Sequence, residues 1–450
     1  MAPARRPSCC ATSAVAPACG AAARTIRRSR SRRCRRRAPP TRRRPRGCGR
    51  RASSPQRSTP AGSTRPTRAP RARTPPPRSA CRPPIPSASA PRPSRTPCSP
   101  SGRPAVRLTH EPLPLETAFT FRISVGARKA HANTLVRIEH DGITGLGEAS
   151  PASYYGENAR LVEAALETYA PCLGEDPFAL DAIEARMRAT LRGHGAARAA
   201  LDMALHDWIG RRLGLPVWRL FGLDPSRVPL SCVTLGLADP EEMERKLDTV
   251  MDFPRLKVKL GAPGDVDNLR RIRERYRGAI QVDANTAWSP PDAVRVLRAI
   301  EPLGIELVEQ PVAREDLDGL AWVRRRVGIP VFADESCHTA ADIANLAGRV
   351  DGVNLKIMKT GGLREMLRAI HAARAHGLKV MLGSMVESSL ALSAAAQLAP
   401  LADVLDLDGH WLLRHDPFDG APRERGVIAL SERPGLGVVP AAGAPPGGPA

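Results

Sequence analysis

The chain has 450 residues, with 68 Lys+Arg against 45 Asp+Glu and a formal net charge of +23, and nearly all of the excess sits at one end. Residues 1–104 hold 27 Arg, 21 Pro and 7 Cys but no Lys, Asp, Glu, Leu or aromatic residue, which excludes a packed core there, because nothing buried would offset the entropy of ordering the backbone. Residues 105–450 then carry 41 basic and 45 acidic side chains, a net of −4, and this ordinary balance over 346 residues fits one large or two modest soluble domains.

Taken in chain order, 1–104 is expected to be a disordered Arg/Pro/Ser-rich tail. Arg-only runs such as Arg35 to Arg37 and Arg42 to Arg44 suit phosphates, so a nucleic-acid-associated protein acting through this arm is the competing function of a different class. The tail has no aromatic residue to stack on bases, which counts against nucleic acid. Ala11 to Ala23 is too broken by Pro17, Cys19 and Gly20 for a secretory signal. The composition is that of GC-rich DNA read upstream of a true start, and we favour that origin. In the body, Cys172, Cys232 and Cys337 are too few and too scattered for a disulfide framework or a zinc site. No run of about 18 apolar residues appears, so no membrane span is expected, and the cytoplasm is the expected location.

From 105 to about 152 the pattern is short and alternating. Phe121, Ile123 and Val125 share a side, and Thr134 to Glu139 reads as a strand entering an Asp141-Gly142 turn. Three helical patterns follow over 158–213, the last being Ala196 to Leu213. Strands followed by helices predict an α+β domain over 105–228. Beyond Gly222 eight short apolar runs alternate with helical patterns: Pro229 to Leu237, Arg255 to Gly261, Ala279 to Trp288, Gly304 to Pro311, Ile329 to Ser336, Gly352 to Lys359, Lys379 to Met385 and Val404 to Gly409. Eight such runs predict a parallel α/β barrel over 229–409, with 410–450 returning to the first domain. A doubly wound sheet fits less well, since no glycine-rich dinucleotide turn follows the first strand.

Functional groups of a barrel gather at the C-terminal ends of its strands. There the second run carries Lys257 and Lys259 on one face, the third Asp283 and Asn285, the fourth Glu309-Gln310, the fifth Asp334-Glu335 and the sixth Lys356. Singly, each is more often a satisfied rim residue than a catalyst. Together, acids on three successive strands between lysines on strands two and six need a cation among them. An all-oxygen set suits Mg²⁺, and flanking lysines suit proton removal from a carbon next to a carboxylate. A lysine acting as base must be neutral, and its neighbouring lysine and the dication are expected to lower its pKa.

Lys257-x-Lys259, Asp283-x-Asn285, Glu309-Gln-Pro311, Ala333-Asp-Glu-Ser336 and Asn354-Leu-Lys-Ile-Met-Lys359-Thr-Gly-Gly362 resemble, in order and spacing, the enolase superfamily. Within it the chain is most similar to the dipeptide epimerases of the muconate lactonizing subgroup. The resemblance covers roughly 105–430 and implies a modified (β/α)8 barrel of the enolase type under an α+β capping domain. Loops near Phe121 to Ala132 and Ala149 to Glu157 would close the site. It further implies Asp283, Glu309 and Asp334 as Mg²⁺ ligands, Lys259 and Lys356 as the acid/base pair, and Lys257 as electrostatic support. The seventh run, Lys379 to Met385, has no His, unlike the mandelate racemase subgroup.

Asp406-Leu-Asp408 resembles the paired aspartates that hold a dipeptide's free amino group, and Ser384 and Glu387 fall where the family contacts substrate. Members specific for Ala-Glu carry an Arg after the Phe-Arg-Ile stretch, where this chain has Val125 and Gly126, leaving Arg122 or Arg128 to meet an acidic second residue. The expected function is a Mg²⁺-dependent epimerase inverting an α-carbon of an Ala-Glu-like dipeptide. An N-acylamino acid racemase or o-succinylbenzoate synthase is the alternative, and a homo-oligomer is allowed. His206 and Asp207 are expected to serve helix packing, and Cys337-His338 to be loop rather than nucleophile.

Overall fold

The structure, a computed structural model, describes residues 105–123, 126–421 and 423–442. The readings of 1–104, and of the Arg128 side chain, lie outside the described residues. The described chain opens in an antiparallel sheet of β1 (Arg107–Ile123), β2 (Gly126–His140) and β3 (Ile143–Ala149). Asp141 and Gly142 join β2 to β3 at φ 49° and 72°, the left-handed pair that a two-residue hairpin needs. β1 and β2 are longer than their alternation predicted, at 17 and 15 residues. β3 pairs only with Thr134 to His140, so the hairpin tip runs on as a two-stranded ribbon.

Next come α1 (Ala159–Tyr169), α2 (Leu180–Thr190) and α3 (Gly195–Leu213). Every residue of α3 from Ala196 to Gly210 is buried, which its many alanines permit. β3 packs so tightly on it that a Cβ at Gly145 or Gly147 would fall 2.1 Å from Ala204 O or 1.9 Å from Ala200 O. Asp207 accepts from Leu146 N at 3.0 Å, Leu436 N at 2.8 Å and Arg211 Nε at 2.8 Å, so it fastens β3 and the C-terminal segment to α3. His206 Nδ1 lies 2.7 Å from Asp202 O within the same helix.

After α4 (Val217–Leu220) strands and helices alternate: β4 (Val233–Leu235), α5 (Pro240–Asp248), β5 (Arg255–Lys259), α6 (Asp265–Arg275), β6 (Ala279–Asp283), α7 (Pro290–Ile300), β7 (Ile305–Glu309), α8 (Leu317–Arg324), β8 (Val331–Ala333), α9 (Ala340–Leu346), β9 (Gly352–Lys356), α10 (Ile357–Thr360), α11 (Leu363–Ala375), β10 (Lys379–Gly383), α12 (Ser389–Ala396) and β11 (Val404–Asp406). Side-chain caps start several of these helices just past a strand end: Asp239, Ser289, Asp316 and Ser388 each accept from a backbone N–H, and Thr339 with Asp342 forms a capping box. Each of the eight apolar runs contains one strand, and β4 to β11 lie parallel in chain order. A parallel bridge from Ser231 to Leu405, with Cys232 N donating to Leu405 O at 3.3 Å, joins first to last and closes the barrel.

The barrel departs from eight full units. Among the described residues no α-helix follows β11, only a short 3-10 turn at Gly409–Leu412, so seven β/α units end on a closing strand. The segment beyond runs back along the first domain: Arg414 N donates to Glu116 O at 2.8 Å and Val217 N to Gly435 O at 3.0 Å. Outward residues such as Leu256, Val282, Val308 and Leu355 join the main core, whereas Leu307, Phe332, Met381 and Val404 form their own cluster. With a period of two, that second cluster fills the barrel interior, and two residues further on lie Glu309, Asp334, Gly383 and Asp406. Apolar filling thus gives way to charge at the mouth. No described helix is long and apolar enough to cross a membrane.

Candidate active site at the barrel mouth

In-register pairing sets the height of each group. Lys259 pairs with Asp283 and Asp283 with Glu309, while Gly383 stands level with both Lys356 and Asp406. Asp283, Glu309 and Asp334 are buried and each offers a carboxylate oxygen, all within 4.8 Å of one another. The set is oxygen-only, anionic and without imidazole or thiolate, so by donor chemistry it fits Mg²⁺ better than zinc or a redox metal.

Lysines surround this triad. Lys257 Nζ lies 3.0 Å from Asp283 Oδ2, 2.8 Å from Glu309 Oε2 and 2.6 Å from Asp406 Oδ2. Lys259 Nζ donates to Asp283 Oδ2 at 2.6 Å and Lys356 Nζ to Asp334 Oδ2 at 2.8 Å, from the strands on either side of the three acid-bearing ones. A further cation, Lys359, donates to Asp334 Oδ1 at 2.5 Å, to Asp334 O at 2.6 Å and to Asn354 O at 3.0 Å. Asn354 Nδ2 in turn donates to Glu309 Oε1 at 2.8 Å, and Asn285 Nδ2 to Glu335 Oε1 at 3.1 Å.

Backbone strain gathers at this rim. Asn285, Thr286 and Gln310 have φ of 42°, 67° and 34°, a region that non-glycine residues adopt at a cost. Gln310 is held there by its own amide: Oε1 accepts from Asp334 N at 3.0 Å and Ser336 N at 3.1 Å, and Nε2 donates to Val312 O at 3.0 Å.

The electrostatics separate the acids. Burial raises Asp283, but Lys257 and Lys259 outweigh it and hold the carboxyl at about 2. Asp334 is likewise held well below its ordinary value, burial being overcome by Lys356 and Lys359. Glu309 is pushed up to about 8 by burial and by Asp283, which Lys257 beside it does not offset, so the triad has room for further positive charge. The expected depression of the lysine base is not found in the protein's own groups. Burial lowers Lys356, yet Asp334 and Glu309 raise it further, and it stays above the usual lysine range. The nearby carboxylates, which the sequence argument did not weigh against the lysines, dominate.

Above the triad lies a cavity of about 230 Å³, lined by Lys257, Lys259 and Lys356 from the barrel, Gly126 and His131 from the ribbon tip, and Ser150 to Tyr155 from the loop after β3. Both regions expected to close the site therefore reach it. Ser384, Asp406 and Asp408 also line it. Asp406 is more engaged than the sequence implied, taking Lys257 at 2.6 Å and the Cys232 thiol at 3.1 Å. Asp408 accepts from Thr234 N at 2.6 Å, and burial together with Asp406 pushes its carboxyl up to about 6. Glu387 is not among the lining groups but is buried behind the loop, accepting from Met385 N at 2.9 Å. Arg122 is exposed and does not line the cavity either, its carbonyl serving Leu237 N at 2.9 Å. Cys337 is no nucleophile: burial pushes its thiol up to about 12. Sequence reasoning missed the walls Tyr154, Tyr155, Met385, Val386 and Leu412, which come from loops with no periodicity to read. Lys359 had a signal, since one helical turn places it beside the end of β9.

A parallel barrel whose mouth joins an acid triad to lysines on both flanks, under a separate α+β cap, defines a class of enzymes acting on carbon acids. Residues 105–222 match the mandelate racemase / muconate lactonizing enzyme N-terminal domain, and 240–444 the enolase C-terminal domain-like family. The chain belongs to this enolase superfamily and is an isomerase of its racemase and epimerase kind. It is 37% identical over 336 residues to an L-Ala-D/L-Glu epimerase of Bacteroides thetaiotaomicron, spanning 74% of this chain and 88% of that one. A dipeptide epimerase from Enterococcus faecalis, complexed with Mg and L-Leu-L-Tyr, superposes at a TM-score of 0.71 with 32% identity over 74% of this chain and 99% of its own. An N-succinyl Arg/Lys racemase from Bacillus cereus is similar at a TM-score of 0.72 and 30% identity, covering 75% and 96%.

Proposed function

We propose that the protein is a Mg²⁺-dependent dipeptide epimerase, with 105–228 as cap, 229–409 as catalytic barrel and 410–450 returning to the cap. The observation that carries this is the placement of Lys259 and Lys356 on the two strands that flank the acid triad, 2.6 and 2.8 Å from different members of it. Asp283, Glu309 and Asp334 would hold Mg²⁺, which supplies electrostatic stabilisation for the charge arising on a substrate carboxylate when Cα loses its proton. Lys259 takes or returns that proton on one face and Lys356 on the other, while Lys257 steadies Asp283, Glu309 and Asp406. Asp408, with Asp406 behind it, receives the substrate's ammonium, and Ser384 lines its path. The three body cysteines are free and buried, which suits a reducing cytoplasm.

The first candidate substrate is Ala-Glu. The walls formed by Tyr154, Tyr155, Val386 and Leu412 favour an apolar second residue as the other reading, because no arginine lines this cavity among the described residues. Incubating a dipeptide library in D₂O tests the proposal: a mass gain of one deuterium at an α-carbon, with appearance of the epimer, is expected for free dipeptides. Exchange confined to N-acylated amino acids would replace it with an N-acylamino acid racemase.

A further inference from the structure

A second cavity, about 330 Å³, lies beside the substrate cavity and shares Ser150, Ala152, Tyr155 and Met385 with it. Its far wall is the turn Gly193 to Gly195, where α3 begins, together with Arg198 one turn into that helix. Arg198 is only 9% exposed, and its Nε has no hydrogen-bond partner. Gly361, at φ 82°, leaves space beside the guanidinium, since a Cβ there would fall 3.0 Å from Nη2. A buried guanidinium with an unused donor is costly to hold without a ligand, because its desolvation is not returned by a hydrogen bond.

Several of the other polar groups of the wall are already engaged. Lys359 is committed to Asp334. Arg314 pairs with Glu315 at 2.5 Å and lies over Tyr154. Burial lowers the pKa of His338, with Lys359 adding to it, so the imidazole is neutral near pH 7. Glu157 is the carboxylate of the wall; its Oε1 accepts from Ala196 N at 3.3 Å at the start of α3. The helix end is thus occupied, and Arg198 is the cation left to meet a ligand.

We propose that this cavity binds a small oxyanion, a carboxylate or phosphate group, on Arg198. Planar guanidinium donors match two oxygens of such a group. Two sources share that chemistry: a free small anion, or the side-chain carboxylate of an acidic dipeptide reaching past Tyr155. In the second case Arg198 would supply the arginine absent from the described lining of the substrate cavity, and that case rests on the epimerase reading; the first does not.

The test uses the full chain and Arg198→Gln, so that the basic tail is common to both. Inorganic phosphate is titrated calorimetrically into each, and amide exchange over 193–198 is followed in the unmodified chain with and without phosphate. Expected are slowed exchange over 193–198 and phosphate binding weakened at least about tenfold in the variant, the worth of one charge-assisted hydrogen bond. The kcat/KM values for Ala-Glu and Ala-Leu then separate the sources. A loss of at least about tenfold for Ala-Glu alone, with phosphate competing against it, assigns the substrate's carboxylate; equal responses of both dipeptides to phosphate assign a free anion. Unchanged exchange over 193–198 together with Ala-Glu turnover that phosphate leaves untouched overturns the proposal, even if Arg198→Gln does not fold. Phosphate binding is read without turnover, so its failure leaves the epimerase reading standing.

Discussion

Replacing Lys257 with Met tests how the barrel mouth holds its charge. The side chain is 2% exposed and its ammonium serves Asp283, Glu309 and Asp406 at once. Methionine fills nearly the same volume, so the perturbation is electrostatic. Asp283 keeps Lys259 at 2.6 Å, and Glu309, already pushed up to about 8, is protonated at pH 7 with little further cost. The loss therefore concentrates on Asp406, left with the Cys232 thiol at 3.1 Å and the like charge of Asp408. Removing one partner from a buried ion pair costs about 3–5 kcal/mol, which lowers Tm by roughly 4–7 °C for a body of about 340 residues unfolding together. Thermal unfolding in EDTA should show that drop. Adding Asp406→Asn to the Lys257→Met variant should recover at least half of it, because the orphaned charge goes. A Lys257→Met protein as stable as the unmodified one in EDTA, or a further loss on adding Asp406→Asn, would refute this assignment of the charge balance.

Alanine at Asp283, Glu309 or Asp334 should abolish turnover and weaken Mg²⁺ binding measured calorimetrically; full activity in EDTA would contradict a metal-assisted reaction. In D₂O, Lys259→Ala should stop α-proton exchange from one epimer and Lys356→Ala from the other, while either abolishes net epimerisation; a variant retaining full epimerisation removes that lysine from the mechanism. N-acetylation of the dipeptide should lower kcat/KM by at least about a hundredfold, roughly 3 kcal/mol, since the acids then face no ammonium. Asp408 is pushed up to about 6 against an ordinary 3.8, so the folded state binds its proton more tightly and its contribution to stability falls as pH rises through that window. Asp408→Asn should accordingly raise Tm at pH 8 while damaging free dipeptides more than acylated ones, and turnover of the free dipeptide should fall below about pH 6. A chain beginning at Val106 should keep its kcat/KM, because residues 1–104 have almost no large apolar side chains to pack; lost activity or solubility would make the tail a working arm.

The eight strands were legible because each is a short apolar run between helical patterns, and several carry polar or charged groups with a period of two at their ends, as Lys257/Lys259 and Asp283/Asn285 show directly. The absence of an eighth helix among the described residues was legible too, since the segment after Asp408 carries no helical pattern and the barrel was bounded at 409. The length of the β1–β2 ribbon was hidden: β3 pairs only with Thr134 to His140, so the rest of β2 is paired with β1 alone. The walls of the substrate cavity were unreadable, as loop side chains are placed by tertiary contact and not by repeat. Arg122 shows the limit of motif position. The resemblance offered it for substrate contact, yet its side chain is exposed and lies outside the cavity lining.

The seventh barrel strand, which carries no charge at its C-terminal end, completes the logic of the mouth. Its last residue, Gly383, stands level with Lys356 on one side and Asp406 on the other, where a charged or bulky side chain would be expected. A Cβ at that position would fall 2.6 Å from Asn354 Oδ1, so glycine is what leaves Asn354 its place. Asn354 donates to Glu309 at 2.8 Å from one side while Lys257 approaches from the other, and the same Lys257 holds Asp406. Glu309 of the acid triad and Asp406 therefore share one buried cation, Lys257. A change in charge at the triad is felt at Asp406 through a single ammonium group; in the proposed epimerase this would tie recognition of the substrate's amino end to the readiness of its carboxylate end.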